Sequence, residues 1–302
     1  MALLLCFLYF PPTIQAQALA TDTVRVYFLG GQSNMDGHGY NKDLPQELLT
    51  ENSGVWIFHG NPVSDDHPDG GLGLWAPLKP GHGAGFSSDG ERNQLSDRFG
   101  IELSLARRLQ ELYEGERVAL IKYSRGGSSI DSLAAGRFGC WDPDFNGRTG
   151  LNQYDFFLKT VSQAMDTRDI NGDGRTDILV PAGIIWMQGE ADASYTEEIA
   201  AAYYENLKRL MDLIRAALRT DDLPVVVGKI SDSWNDAKDS KVWDHGELVQ
   251  YAQEKYARQD GHAAIVRSTR YYKYSDPWHY DSEGYIKLGE KFAEAAYLLN
   301  RQ

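Results

Sequence analysis

Residues 24–35 read VRVYFLGGQSNM. A β-branched and aromatic run that breaks into two glycines is the pattern of a buried strand entering a tight turn. Four more short runs, Arg117–Tyr123, Ala182–Met187, Pro224–Ile230 and Ala263–Val266, read the same way. Helical patterns accompany them near Glu102–Tyr113, Gln153–Met165, Glu197–Leu218, Glu247–Arg258 and Glu283–Leu299. Within Glu197–Leu218, Tyr203, Leu207, Leu210, Leu213 and Ile214 share one stripe, while Lys208, Arg209, Asp212 and Arg215 fall elsewhere. Strands alternating with helices predict parallel β-α-β units and a sheet covered on both faces. In such folds the functional loops gather beyond the carboxyl ends of the strands. The loops after Leu29, Tyr123, Met187 and Ile230 are therefore expected to share one crevice. The Gly-rich, aromatic stretch from His59 to Arg98 reads as a long excursion over the sheet that shapes a cleft.

The chain has 302 residues, 42% hydrophobic and 24% charged, which suits a globular domain with an ample core. Its formal charge of -13 speaks against nonspecific binding to nucleic acid or to anionic membranes, both of which want surplus Lys and Arg. Residues 1–20, MALLLCFLYFPPTIQAQALA, run from an apolar stretch to small residues at Ala16, Ala18 and Ala20. This reads as a secretory signal peptide cut near Ala18 or Ala20, with a retained anchor as the alternative. The expected mature product is one domain, 21–302, secreted or periplasmic. Cys6 falls in the leader, so Cys140 would stand alone; with no base nearby it reads as a structural residue.

The turn after the first strand displays Ser33 beside Gly30 and Gly31. A serine on such a turn, with free backbone N–H groups around it, has the setting of a nucleophile. Neither a Gly-X-Gly-X-X-Gly fingerprint nor a Gly-Lys-Ser/Thr ending is present, which argues against a phosphate loop. The serine needs a base, and the base an orienting acid. In Asp276-Pro277-Trp278-His279 a carboxylate stands three residues before an imidazole. A second carboxylate, Glu190, follows Trp186-Met187-Gln188-Gly189 at another strand end and is the alternative acid. The Gln188 amide and the Gly126–Gly127 turn are candidate donors to an oxyanion, together with the Ser33 N–H. Gln32 and Asn34, flanking the serine, are read as substrate contacts.

GQSNM at 31–35, GGSS at 126–129, WMQGEAD at 186–192 and DPWH at 276–279 together resemble the SGNH-hydrolase superfamily. Within it they are most similar to the branch holding sialate O-acetylesterases and family-6 acetyl xylan esterases, in matching order from about residue 23 onward. The resemblance implies a three-layer α/β/α sandwich, flavodoxin-like, with a central parallel sheet. It also implies removal of O-acetyl groups from a carbohydrate through an acetyl-enzyme on Ser33, with no cofactor for catalysis. His279 is then the base and Asp276 its acid, with Gln188, Gly126 and Gly127 at the oxyanion hole. Two other readings stay open: a lipase or thioesterase of the same superfamily, and a noncatalytic carbohydrate-binding module.

A second motif lies apart from these loops. Asp169-Ile170-Asn171-Gly172-Asp173-Gly174 follows the alternate-oxygen spacing of calcium loops, and Asp177 extends it. Position twelve is Val180 rather than an acid, and Asn-Gly and Asp-Gly also make good turns, so Asp169, Asn171, Asp173 and Asp177 are expected to hold at most a structural calcium. Asp65, Asp66, His67 and Asp69 read as a solvated loop, since no second His stands at ligand spacing. Trp234, Trp243, Tyr271, Tyr272 and Tyr274 are candidates either for sugar stacking or for packing.

Overall fold

The computed structural model describes residues 22–50, 54–63, 67–146 and 151–302. The expected leader, and Asp65 and Asp66 of the acidic loop, lie outside the described residues. Seven strands form the main sheet: β1 (Asp22–Gly31), β2 (Val55–His59), β3 (Trp75–Pro77), β4 (Arg117–Ser124), β5 (Asp177–Met187), β6 (Val225–Gly228) and β7 (Ala263–Val266). Their order is β7-β6-β5-β1-β4-β2-β3, and every pairing is parallel except β2 with β3. The five expected strands are all present. β2 and β3 were not expected: VWIFH is short and stands directly before the Gly-rich excursion, and β3 is a three-residue edge.

β1 sits at the centre because its residues bury on both faces, with Val24, Tyr27 and Leu29 fully enclosed. It pairs with β4 from Val24 opposite Arg117 to Gly31 opposite Ser124, and with β5 up to Gly31 opposite Met187. Three strands thus end level with one another. After β4 the chain crosses β1 to build the other half of the sheet, so the switch in strand order falls beside β1.

Helices cover both faces and complete three layers. On one, α2 (Glu102–Leu112) packs against the last helix, α7 (Ser282–Leu299). The two approach closely because residue 289 is glycine; a Cβ there would lie 2.1 Å from Ser104 Oγ. On the other lie α3 (Gln153–Asp166), α5 (Glu197–Ala217) and α6 (Gly246–Gln259). The Tyr154 hydroxyl of α3 donates to the Leu213 carbonyl of α5. Asn152 starts α3, its Oδ1 accepting from the amides of Tyr154 and Asp155 at 3.0 and 3.2 Å, and Asp281 caps α7 through Gly284 N at 2.8 Å. The α5 stripe is buried as its spacing implies, with Leu213 half-buried at its edge. Arg215, expected off that stripe, is buried too, because its guanidinium bonds both oxygens of Asp260 at 2.6 and 3.1 Å and the Leu223 carbonyl at 2.9 Å. Cys140 is enclosed, and burial pushes its thiol up to about 12, in keeping with a structural residue.

One buried ion pair ties the layers together. Lys122 of β4 and Glu102 at the start of α2 have fully enclosed side chains, 2.9 Å apart. Lys122 Nζ also donates to the carbonyls of Asp36 at 2.9 Å and His82 at 2.7 Å, using all three of its protons. Removing one member of such a pair leaves the other charged and buried, which costs about 3–5 kcal/mol. Lys122→Met is therefore expected to lower unfolding free energy by about that amount in urea titrations, and adding Glu102→Leu to recover part of it. A single Lys122→Met variant as stable as the wild type would contradict this role.

Candidate active site

At the end of β1, Gly31 has φ +142, and a Cβ there would lie 2.0 Å from the Met187 carbonyl, so only glycine fits. Gln32 N donates to that carbonyl at 3.0 Å, and the amides of Met35 and Asp36 return to Gln32 O at 2.8 Å. The chain is thereby turned into a single helical turn, α1 (Ser33–Asp36), which Ser33 opens. The first-turn amides of Ser33 and Asn34 have no acceptor inside a helix, and none is found for them among the described residues. Ser33, 9% exposed, lines a cavity of about 850 Å³ together with His279, Gly126, Gly127 and Gln32. Four loops from β1, β4, β5 and the segment before α7 converge there.

His279 Nδ1 lies 2.8 Å from Asp276 Oδ2, and Asp276 Oδ1 accepts from the amides of Trp278 and His279, also at 2.8 Å. One carboxylate thus holds both the ring and the backbone of the residue it orients. Burial pushes the Asp276 carboxyl upward, but the bonds from His279 and Trp278 outweigh it and leave the group below its ordinary value. Asp276 therefore stays ionised beside the imidazole. On the ring's face lies His38, stacked at 3.6 Å between centroids and 7° between planes. Burial, helped by the nearby His279 and Arg98 charges, lowers His38 to about 4, so a neutral ring forms the wall behind His279. His38 carries no sequence signal beyond its place five residues after Ser33.

The other carboxylate candidate is held elsewhere. Glu190 opens the short helix α4 (Glu190–Ala193), is 1% exposed, and accepts from Asn34 Nδ2 at 2.8 Å through Oε1; its Oε2 has no hydrogen-bond partner among the described residues. Burial pushes it up to about 7. Of the two acids, only Asp276 is bonded to His279.

Asn34 and Gln188 depart from expectation. Asn34 is 2% exposed and does not line the cavity. Its Nδ2 also donates to the Trp278 carbonyl at 3.1 Å, and its Oδ1 accepts from the Tyr285 hydroxyl at 2.8 Å. It is a brace linking the serine turn to the Glu190 turn and the His279 loop, not a substrate contact. Gln188 is fully buried, with Nε2 donating to Asp192 Oδ2 at 2.6 Å and to the Ser128 carbonyl at 3.2 Å, and it too is absent from the cavity wall. Its donors are spent, so it is not placed to serve an oxyanion; it joins the β4 and β5 loops. Asp192 in turn accepts from the Ile130 and Asp131 amides. Gln32 does face the cavity, with Oε1 receiving the Ala191 and Gly189 amides at 3.1 and 3.3 Å. Gly126 lies against Ser33, its missing Cβ 3.3 Å from Ser33 Cβ, and Gly127 adopts φ +75 over the Phe138 ring.

The expected calcium ligands do not converge. Asp169 accepts from the amides of Gly172, Asp173 and Gly174, and Asp177 pairs with Arg117 and caps the Ile170 amide. Asn171 Nδ2 bonds Asp173 Oδ2. Backbone N–H groups and a guanidinium are the partners that the Asp169 and Asp177 carboxylates have among the described residues. Among the described residues no group of three or more His, Cys, Asp or Glu side chains is arranged to hold a metal. Of the aromatic candidates, Trp243 lines the cavity, Tyr274 is bonded to Ser231, and Trp234 and Tyr271 are exposed away from the cavity wall. Trp278, half exposed at 51%, is one of the aromatic cavity residues that sequence reading did not single out; it lines the cavity directly before His279.

A serine turn at the switch point of an α/β/α sandwich, with an Asp–His pair sharing its cavity, defines a carboxylic ester hydrolase of the SGNH type. The chain belongs to the sialic acid-specific acetylesterase family of carbohydrate esterases, whose model matches residues 23–298. Solved structures agree on the fold. A protein of Arabidopsis thaliana superposes with TM-score 0.62 at 19% identity, over 92% of this chain and 98% of that one. A carbohydrate acetylesterase of Xanthomonas citri gives 0.60 at 18%, over 92% and 57%, and NanS 0.58 at 16%, over 93% and 99%. Among curated proteins no sequence matches. Esterases of this family need no cofactor for catalysis.

Two substitutions separate the carboxylates. Asp276→Asn is expected to lower kcat more than about a hundredfold, since a wrongly held imidazole tautomer cripples the base; Glu190→Gln is expected to lose less than about tenfold. Glu190 also predicts a pH effect. Its folded value near 7 exceeds the ordinary 4.5, so the folded protein holds that proton more tightly than the unfolded chain. Between those values the unfolded chain ionises first, and Glu190 costs stability as pH rises, on the order of 3 kcal/mol across the window. The melting temperature of Glu190→Gln relative to wild type should therefore rise from about pH 5 to about pH 8. A difference that is flat with pH would refute this.

Proposed function

We propose that this chain removes O-acetyl groups from carbohydrates through an acetyl-enzyme on Ser33, and that its substrate is an acidic sugar of the sialate type. The observation that carries the reading is the Asp276–His279 pair, 2.8 Å apart, sharing one cavity with Ser33. In the first half-reaction Ser33 Oγ attacks the acetyl carbonyl as its proton passes to His279. The oxyanion takes hydrogen bonds from the Ser33 amide and the Gly126–Gly127 turn. His279 then returns the proton to the departing sugar oxygen as the ester bond breaks. In the second half, water gives its proton to His279, adds to the acetyl-serine and releases acetate, and Ser33 recovers its proton. Asp276 stabilises the imidazolium formed in each half.

The cavity's charge supports an anionic substrate. In a chain of net charge -13, two arginines, Arg125 and Arg137, line it. Arg125 is half-buried and its Nε has no hydrogen-bond partner among the described residues. Arg137 stacks on the Phe138 ring with its guanidinium carbon 4.6 Å from the centroid. The carboxyl nearest them in the lining, Asp36, is pushed up by burial, which weakens its competition for the arginines. A guanidinium fork suits a sugar carboxylate, and Trp278 offers a face for the ring. The apolar leader supports export, so the substrate is met outside the cytoplasm.

Ser33→Ala is expected to abolish acetate release from an O-acetylated sialic acid by the purified protein, and undiminished turnover would overturn the mechanism. Arg125→Gln is expected to lower the ratio of kcat/KM for that acid to kcat/KM for an acetylated neutral xylooligosaccharide by about tenfold or more, the worth of one charge-assisted hydrogen bond. An unchanged ratio would remove the case for an acidic sugar.

A further inference from the structure

His59 ends β2 and lines the same cavity, yet only 3% of it is exposed. Its register opposite Lys122, which in turn lies opposite Leu29, puts it two strands from β1, about 10 Å across the sheet edge from the serine strand. Phe86, another cavity residue, stacks on its ring at 3.9 Å and 10°. Its Nδ1 lies 3.3 Å from Nδ1 of His82, which is fully buried and held at its carbonyl by Lys122. The ring is thus clamped on one face and at one nitrogen. Burial and the Lys122 charge lower both histidines well below their ordinary value, so both are neutral.

Neutrality leaves one proton on each ring, and the surroundings decide where. His82 Nε2 is buried and has no partner among the described residues. A buried N–H without an acceptor is rarer and costlier than a bare acceptor nitrogen. His82 therefore carries its proton on Nδ1 and donates it to His59 Nδ1. His59 Nδ1 is then the acceptor, and the His59 proton resides on Nε2, for which no protein partner is found among the described residues. We infer that His59 is a substrate-contacting, specificity-determining residue whose Nε2–H donates a hydrogen bond to an acceptor oxygen of the bound sugar, with His82 setting the tautomer. The inference rests on the carbohydrate reading above. A donor fixed in this way binds without losing side-chain freedom, and it rejects a ligand that has no acceptor at that point.

The test compares two esters, an O-acetylated sialic acid and p-nitrophenyl acetate, which has no sugar. His59→Phe keeps the stack on Phe86 but removes the donor. It is expected to lower the ratio of kcat/KM for the sugar to kcat/KM for the small ester by about tenfold, chiefly through KM, with His59→Gln recovering part of the loss. Equal loss on both esters would overturn the sugar contact and leave ester hydrolysis standing. No turnover of either ester by the wild-type protein would instead be a failure of the hydrolase reading. Nitrogen-15 spectra of histidine-labelled wild-type protein need no substitution: they should place the His59 proton on Nε2 and the His82 proton on Nδ1. A His59 proton on Nδ1 would overturn the inference whatever the variants do.

Discussion

The buried contact between Lys122 and Glu102 is where the sheet, a helix layer and the serine turn meet. A lysine in the middle of an apolar strand is costly unless each of its protons has an acceptor. Here the three acceptors belong to three different parts of the molecule: the first turn of α2, the end of α1, and the excursion that carries His82. Glu102 also receives the Gly100 amide at 2.9 Å. The position of α1, and with it of Ser33, is therefore tied to a charge that cannot shift without leaving another unpaired. Such a pair adds little net stability but strongly penalises any other arrangement.

A second set of polar contacts works at shorter range around the serine. Asn34 and Gln32, the residues on either side of it, spend their side chains on neighbouring loops. Asn34 reaches the Glu190 turn and the His279 loop, and Gln32 the amides that follow Met187. Gln188 and Asp192 extend the same network to the loop after β4. These residues resemble a reacting constellation in sequence because they cluster about the serine. In space most of them form the frame, and the groups left facing the cavity include Ser33, His279, the glycine turn, two arginines, His59 and several aromatic rings. A rigid frame of hydrogen bonds holds Ser33 and His279 in register, which is the preorganisation the proposed acyl transfer needs.

The histidines show how burial sorts one side chain into several roles. His279 keeps an ionised carboxylate at its Nδ1, which prepares it to accept a proton. His38, stacked on it, is neutral and acts as a wall. His59 and His82, beside the Lys122 charge, are neutral as well and hand a proton orientation from one ring to the next. Sequence separates His279 from the others only because Asp276 stands three residues before it.

Sequence alone was sufficient for the parallel α/β architecture and the five principal strands, and it singled out Ser33, Asp276 and His279, of which Ser33 and His279 line one cavity and Asp276 is bonded to His279. Those features are written in local pattern: apolar runs that end on glycine, helical stripes, and an acid placed within one turn of a histidine. Tertiary structure decided everything that depends on partners distant in the chain. It placed Asp276, and not Glu190, against His279, because Asn34 captures Glu190, 156 residues away. It spent the side chains of Gln188 and Asn34 on braces, and the carboxylates of the candidate calcium loop at Asp169–Asp177 on backbone amides and a guanidinium. It added β2 and β3, whose short runs become strands only by pairing at the sheet edge. It also brought His38, His59 and Arg125 to the cavity. The physical reason is the same in each case: hydrogen-bond capacity is a property of the residue, but where it is spent depends on what the fold places within about 3 Å of it.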